Sequence, residues 1–204
     1  MKSLMKNALV LAAITLVAGV LLGLVYEITK EPIALAKENA KRKAYQTVMP
    51  EGELFDTVDF EKKQAEKVLS KAGVLGCQIE EIVVAKTKEE VKGYVITTTS
   101  SEGYGGNIQV SVGIAGDGTV TGIEILSISE TPGLGMNADT PDFKGQFAGK
   151  KGNPFVVTKT GAVAENEIDA ISSATITSNA VTNAVNAGVA YFQNMLVVGG
   201  SANE

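Results

Sequence analysis

Residues 107–127, NIQVSVGIAGDGTVTGIEILS, alternate apolar and polar side chains on both sides of a glycine-rich interruption. A period of two places Ile108, Val110, Val112 and Ile114 on one face, which is the pattern of a half-buried strand. The interruption Ala115-Gly116-Asp117-Gly118 carries an Asp-Gly turn signal, so Asn107–Ile114 and Thr119–Ser127 are predicted to form an antiparallel hairpin. Upstream, Gln78–Ala85 and Gly93–Thr99 are likewise rich in Val, Ile and Thr and read as further strands.

Helical spacing frames this sheet. Phe60, Ala65, Val68, Leu69 and Ala72 predict a helix from about Phe60 to Lys71, ended by Gly73. Val181, Val185, Val189 and Phe192 mark one stripe of a final helix from near Ser178 to about Leu196, with Gly199-Gly200 as its stop. Between sheet and final helix, Asp139–Phe147 reads as a short helix with Pro141 in its first turn, and Pro154–Thr158 as a strand. The fold class is α+β with a mainly antiparallel sheet.

Asn7 to Tyr26 is a run of 20 residues without a charge, the length a helix needs to cross a hydrocarbon core of roughly 30 Å. It is long for the apolar region of a signal peptide, and the small-x-small candidate Ala34-Leu35-Ala36 lies beyond Pro32 and two acids, so an uncleaved anchor is expected. Pro32 suits the first turn of a separate stalk helix, with Ile33, Ala36, Ala40, Ala44 and Val48 at helical spacing until Pro50-Glu51-Gly52. The expected domains are a cytoplasmic tip and anchor at 1–28, a stalk at 29–50 and a soluble domain at 51–204. Lys2 and Lys6 flank the run on one side, while Lys30, Lys37, Lys41, Arg42 and Lys43 follow it, and charge counting leaves the orientation open. Gly19 and Gly23 form a G-x-x-x-G that reads equally as a helix-packing face or as ordinary membrane glycine.

The 204 residues include no His, no Trp and one Cys. A Ser-His-Asp triad, a His-ligated zinc site, an internal disulfide and a four-thiolate iron–sulfur cluster are therefore excluded from this chain. Cys77 reads as a small hydrophobe, and redox chemistry would need an organic cofactor. From Glu27 onward 16 Lys and Arg stand against 23 Asp and Glu, a formal charge of −7, with no basic patch interleaved with aromatics. Nucleic acid is not an expected partner.

Two segments exceed the needs of packing. Asp169–Ser178, DAISSATITS, leads into the final helix with five hydroxyl side chains after Asp169. One reading is a helix entry capped by Thr177 or Ser178. The other is a phosphate seat, since a helix N-terminus offers unpaired N–H groups and the positive end of the dipole. In Glu130–Gly135, ETPGLG, Pro132 fixes a turn while Gly133 and Gly135 remove Cβ atoms that would block a flat ligand. An ordinary turn fits the same composition, but Leu134 between two glycines suits an aromatic ring system better than water.

The ordered set GYGGNIQVSVGI, DGTVTGIEIL, SETPGLG, FKGQF and DAISSATITSNAV resembles the G subunit of Rnf complexes, over nearly the whole chain. These membrane assemblies exchange electrons between ferredoxin and NAD while moving Na⁺ or H⁺. The resemblance implies a flavoprotein with FMN joined through its phosphate to the Thr that ends a D-x-x-S-G-A-T pattern, here Thr175. Ser173 stands where Gly is usual. Asp169 would be recognised by the flavin transferase, which takes FMN from FAD with Mg²⁺. Glu130, Thr131, Gly133 and Leu134 would border the isoalloxazine, with Ser172, Ser173, Ala174, Ile176 and Thr177 around the ribityl phosphate. Tyr104 is a candidate for stacking on the ring or for packing on the sheet, and Lys159 for a flavin contact or for plain solvation. The implied partners are membrane lipid and the other membrane, flavin and iron–sulfur subunits. The implied location is a bacterial or archaeal cell membrane, single-pass, with the soluble domain outside. The C subunit of the Na⁺-translocating NADH:quinone reductase shares the attachment pattern and is an alternative, as is a membrane-tethered module without redox function.

Overall fold

A computed structural model describes residues 1–88, 90–152 and 154–197, and the expected Gly199-Gly200 stop lies outside them. The chain divides into two compact units, Met1–Lys41 and Arg42–Glu204. The first is helical throughout its length from Lys2, part of helix α1, Lys2–Val48. Its large apolar side chains, from Leu4 to Leu35, stand exposed. Among the described residues this is the helix long and apolar enough to cross a membrane. Pro32 lies inside α1 rather than opening a second helix. A proline there removes one backbone donor, and the turns on either side carry the helix past it. Nothing lies within 4 Å of a Cβ built on Gly19 or Gly23.

The second unit is built on a five-stranded antiparallel sheet in the order β1-β2-β3-β4-β5: Leu54–Thr57, Cys77–Lys86, Val91–Gly103, Gly106–Ala115 and Val120–Ser127. The hairpin read from the Asp-Gly signal is β4–β5, with Val112 opposite Ile123. Its turn is held by the Asp117 carboxylate, which accepts from the Thr119 N–H and Oγ1 at 2.9 Å each and pairs with Lys151 at 3.1 Å. Those bonds from Thr119 and then Lys151 pull the Asp117 pKa down to about 2. Gly118 takes the left-handed conformation the turn requires, with φ +86°.

Strand alternation divides the core between the two sheet faces. Ile82, Ile96, Val110, Val112 and Ile114 point to one face, where helix α4, Thr175–Tyr191, lays down Val181, Val185 and Val189, with Phe192 following. Each such side chain contributes about 1.5–3 kcal/mol on burial. Thr98 Oγ1 donates to the Ala184 carbonyl at 3.0 Å, satisfying a buried hydroxyl across that interface. Helix α2, Lys62–Lys71, adds Ala65 and Leu69 to the same core. On the other face Val83, Ala85 and Val95 pack with Tyr45, Val48 and Met49, at and just beyond the end of α1. There Thr121 Oγ1 donates to the Val48 carbonyl. A Cβ on Gly113 would run into that carbonyl and into Thr121 Oγ1, so glycine at 113 is what lets the helix end approach the sheet.

After β5 come a 3₁₀ turn at Gly135–Asp139, helix α3 at Pro141–Lys144 and a second 3₁₀ turn at Gly145–Phe147, in place of one continuous short helix. Strand β6, Val156–Thr158, pairs in parallel with β7, Glu167–Asp169. Asn186 of α4 binds Phe155 as a strand would, accepting from its N–H at 2.8 Å and donating to its carbonyl at 2.9 Å. Helix α4 ends in a π turn, Phe192–Leu196.

Gly113→Ala is expected to destabilise the sheet unit by about 1–3 kcal/mol, whereas Gly116→Ala, in open space, changes stability by less than about 0.5 kcal/mol. Urea unfolding of the full chain in detergent, followed by tyrosine fluorescence since the chain has no Trp, measures both. Burial raises the Cys77 thiol to about 11, with Glu102 adding to the rise and a hydrogen bond from Ser100 opposing it. Native alkylation of Cys77 should therefore be slow at neutral pH and accelerate as pH rises toward that value; rapid neutral labelling of the native chain would contradict the burial.

Candidate functional site

Three separate stretches converge on a cleft of about 530 Å³. They are the tip of the β3–β4 hairpin, the loop after β5 and the first turn of α4. The lining is Tyr104 from the hairpin, Glu130, Thr131, Leu134 and Gly135 from the loop, and the run Ser173 to Thr177. A volume of this size lies within the roughly 300–1,000 Å³ range of small-ligand pockets.

Glu130 joins the hairpin to the loop. The residue is 7% exposed, and its Oε1 accepts from the Gly105 N–H at 3.1 Å. A Cβ on Gly105 would strike the Ser129 carbonyl, so the hairpin tip meets the loop backbone to backbone. The loop in turn meets the helix: a Cβ on Gly135 would lie 2.7 Å from Glu130 Oε2 and 2.7 Å from Thr177 Oγ1. Gly133 has φ +76°, and its carbonyl accepts from Asn137 Nδ2 at 3.3 Å. The rim is apolar, with Tyr104 75%, Ile176 54% and Leu134 41% exposed.

The segment entering α4 is pinned by side chains rather than by a continuous ladder. Gln146 binds both backbone groups of Asp169, accepting from its N–H at 2.7 Å and donating to its carbonyl at 3.3 Å. The Asp169 carboxylate accepts from the Ala162 N–H at 2.6 Å. Ser178 Oγ accepts from the Ile171 N–H at 2.9 Å and donates to the Ala174 carbonyl at 3.0 Å. Between these anchors Ser173 has φ +62°, alone in that region among the described non-glycine residues. An L-residue is held there at a cost of roughly 1–2 kcal/mol. This is the position at which the resemblance expects Gly, and the backbone conformation explains that preference.

Helix α4 begins at Thr175, with Ala174 as a non-capping N-cap, so neither Thr177 nor Ser178 caps it. Ser178 is instead spent on the Ile171 N–H, in the segment before the helix. Among the described residues the N–H groups of Thr175, Ile176 and Thr177 have no intrachain acceptor. The cleft thus holds three backbone donors, four aliphatic hydroxyls and the phenol of Tyr104, an apolar rim and a glycine whose Cβ would collide with its wall. That donor set and shape fit a phosphate joined to a flat aromatic ring, which is the composition of FMN.

Of the residues singled out from sequence, Tyr104, Glu130, Thr131, Leu134, Ser173, Ala174, Thr175, Ile176 and Thr177 line this one cleft. Gly133, Ser172 and Lys159 are outside the lining, and Lys159 is solvent-exposed after β6. Asp169 lies at the end of β7, before the segment that enters the cleft. Gln146 escapes a reading based on chemistry-bearing side chains, while Gly135, expected to clear space for a flat ligand, clears it for Glu130 and Thr177, and Ser178, expected as a cap, holds the Ile171 N–H. Proximity in sequence to the two loops is the signal for Gln146, and its backbone role emerges only in three dimensions.

Comparisons with known proteins identify the family. Residues 103–190 match the family described as FMN-binding domain, and residues 1–48 match the RnfG N-terminal region. The chain is 36% identical to the G subunit of the Na⁺-translocating ferredoxin:NAD⁺ oxidoreductase complex of Acetobacterium woodii, over 95% of this chain and 94% of that one. It is 31% identical to the G subunit of the proton-translocating ferredoxin:NAD⁺ oxidoreductase complex of Clostridium ljungdahlii, over 85% and 83%. Two solved structures share the fold. One is NqrC of Shewanella oneidensis, at TM-score 0.51 and 21% identity, covering 60% of this chain and 61% of that one. The other is the C subunit of the Na⁺-translocating NADH-quinone reductase of Parabacteroides distasonis, at TM-score 0.50 and 23% identity, covering 70% and 77%. The chain belongs to the RnfG/NqrC family, whose FMN-binding domain its hairpin, loop and final helix compose.

Proposed function

We propose that this chain is the covalent-FMN electron-carrier subunit of a membrane-bound Rnf complex that couples electron transfer between ferredoxin and NAD to Na⁺ or H⁺ translocation. It acts as part of that translocase and is not catalytic alone. The observation that carries the reading is Thr175: it begins α4, lines the cleft and sits among backbone N–H groups that lack acceptors. Near-full-length similarity to G subunits from sodium- and proton-translocating complexes supports the assignment to Rnf.

Bound FMN supplies reversible electron transfer. The chain's residues do the holding. Thr175 Oγ1 is the atom that would carry the phosphoester, placed there by a flavin transferase. The N–H groups of Thr175, Ile176 and Thr177 favour the remaining negative charge by about 0.3–1 kcal/mol. Thr131, Ser173 and Thr177 bring hydroxyls, and Tyr104, Leu134 and Ile176 present apolar surface for a ring. No histidine is present to shuttle protons, and electron hops between cofactors do not require one. We place the α1 segment Asn7–Tyr26 across the membrane as a single anchor, with residues 29–50 leading away from it and the domain at 51–204 on the outer face. The other Rnf subunits are its partners.

Thr175→Val, co-produced with a flavin transferase, is expected to lose the added mass of FMN less one water and the in-gel flavin fluorescence, while unfolding like the parent. Full flavin on that variant would overturn the attachment site. Ser173→Gly removes left-handed strain of roughly 1–2 kcal/mol but adds unfolded-chain entropy worth roughly 0.5–1 kcal/mol. A gain of about 0.5–1 kcal/mol in urea unfolding is expected, with flavin attachment retained; a clear loss would mean that the Ser173 side chain holds the loop.

A further inference from the structure

Helix α2, KKQAEKVLSK, breaks two local rules of helix electrostatics. Lys62 and Lys63 occupy its first turn at the positive dipole end, directly after the N-cap Glu61, whose side chain makes no capping hydrogen bond. Lys63, Lys67 and Lys71 follow one another at four-residue spacing, which sets like charges side by side. Elsewhere in the same unit Lys86, Lys92, Lys144 and Lys151 each have a carboxylate partner. Among the described residues none of the α2 lysines has an ion-pair partner.

These three lysines line a groove of about 560 Å³ beside the π turn that ends α4. Val68 and Met195 form apolar parts of its lining, and Gln64 Nε2 reaches Met195 Sδ at 3.7 Å across it. The α4 helix widens into a π turn at this place, and such turns concentrate at functional sites. Glu61 stands at the groove's N-terminal end, while Glu66 lies on the other side of α2 beside Lys62. In a chain whose residues from Glu27 onward carry −7, the groove is a local cationic stripe.

We propose that this groove docks an acidic segment of a partner polypeptide. Lys63 to Lys71 spans about 12 Å along the helix, several times the width of one phosphate. That length suits a row of carboxylates on a chain, and the apolar patch between the ammonium groups suits an aliphatic side chain of the same segment. The uncompensated lysines are then explained, because their counter-charges arrive on another polypeptide. The groove is lined by none of the residues of the flavin cleft, so the proposal stands apart from the assignment of Thr175.

Zero-length carbodiimide coupling on membranes containing the assembled complex, followed by peptide mass spectrometry, tests it. The expected product is an isopeptide from Lys63, Lys67 or Lys71 to an Asp or Glu of another polypeptide. The triple variant K63E/K67E/K71E should lose that product and retain about tenfold less of the cross-linked polypeptide on co-purification. Changing the partner's cross-linked carboxylates to Lys should restore retention. Unchanged tyrosine-monitored unfolding checks that the variant folds, and K63Q/K67Q/K71Q should give an intermediate loss. Undiminished co-purification of the triple variant, absence of any intermolecular link, or links to this chain's carboxylates alone would overturn the proposal. So would protection of these lysines from amine labelling by anionic-lipid nanodiscs or by inorganic phosphate in the absence of other subunits. In-gel flavin fluorescence of each variant reports the Thr175 assignment separately.

Discussion

The contact that organises the cleft is the close approach of Gly135 to Glu130 and Thr177, where a single Cβ would sit 2.7 Å from both side chains. Without that clearance the loop after β5 could not lie against the first turn of α4, and the hairpin tip held by Glu130 would lose its neighbour. The sheet supplies the rest of the geometry. Because β3, β4 and β5 are consecutive antiparallel neighbours, the β3–β4 turn and the exit of β5 lie at one end of the sheet. Helix α4, seated on the sheet by its valine stripe, brings its own start to the same end.

The segment entering α4 is held by side chains that imitate strand partners. Gln146 satisfies both backbone groups of Asp169, Ser178 satisfies Ile171 and binds back to Ala174, and the strained Ser173 sits between them. A left-handed serine persists only where its surroundings overdetermine the backbone. The bonds on both flanks meet that condition. Local strain and an uncapped helix start thus coincide at the one segment where the family resemblance puts the cofactor, as expected when local rules yield to function.

Most of the fold is legible in the sequence where a period is long enough to read. The four long strands, α2, the valine stripe of α4 and the β4–β5 turn follow from period and turn chemistry. Strands β1 and β7 have four and three residues, too few for any period, and β6 is the three-residue part of the expected Pro154–Thr158 strand. Pro32 misleads because the rule that places proline in a first turn competes with its tolerance within a long helix, and α1 continues through it. The cap on α4 misleads for a related reason: Ser and Thr at a helix start usually bond to the helix, but Ser178 bonds outward to Ile171. In the site, side chains with evident chemistry are readable. Gly135 is readable as a missing Cβ, but that the clearance admits Glu130 and Thr177, and that Gln146 holds Asp169, arise through space, and spacing along a chain carries no record of that.

An open cleft with exposed Tyr104, Leu134 and Ile176 at its rim buries a ligand incompletely, and incomplete burial limits the affinity that contacts alone provide. A carrier also changes charge as it cycles, so any site tuned to hold one oxidation state tightly holds the other less well. On the proposed reading, a covalent bond at Thr175 would remove both problems, because a tethered group has an effective concentration near its site that no dissociation can dilute. The cleft can then stay open, which an electron carrier needs if partners are to approach its ring. On the proposed reading, the exposed rim of the cleft and the bond at its helix end are one solution to the same constraint.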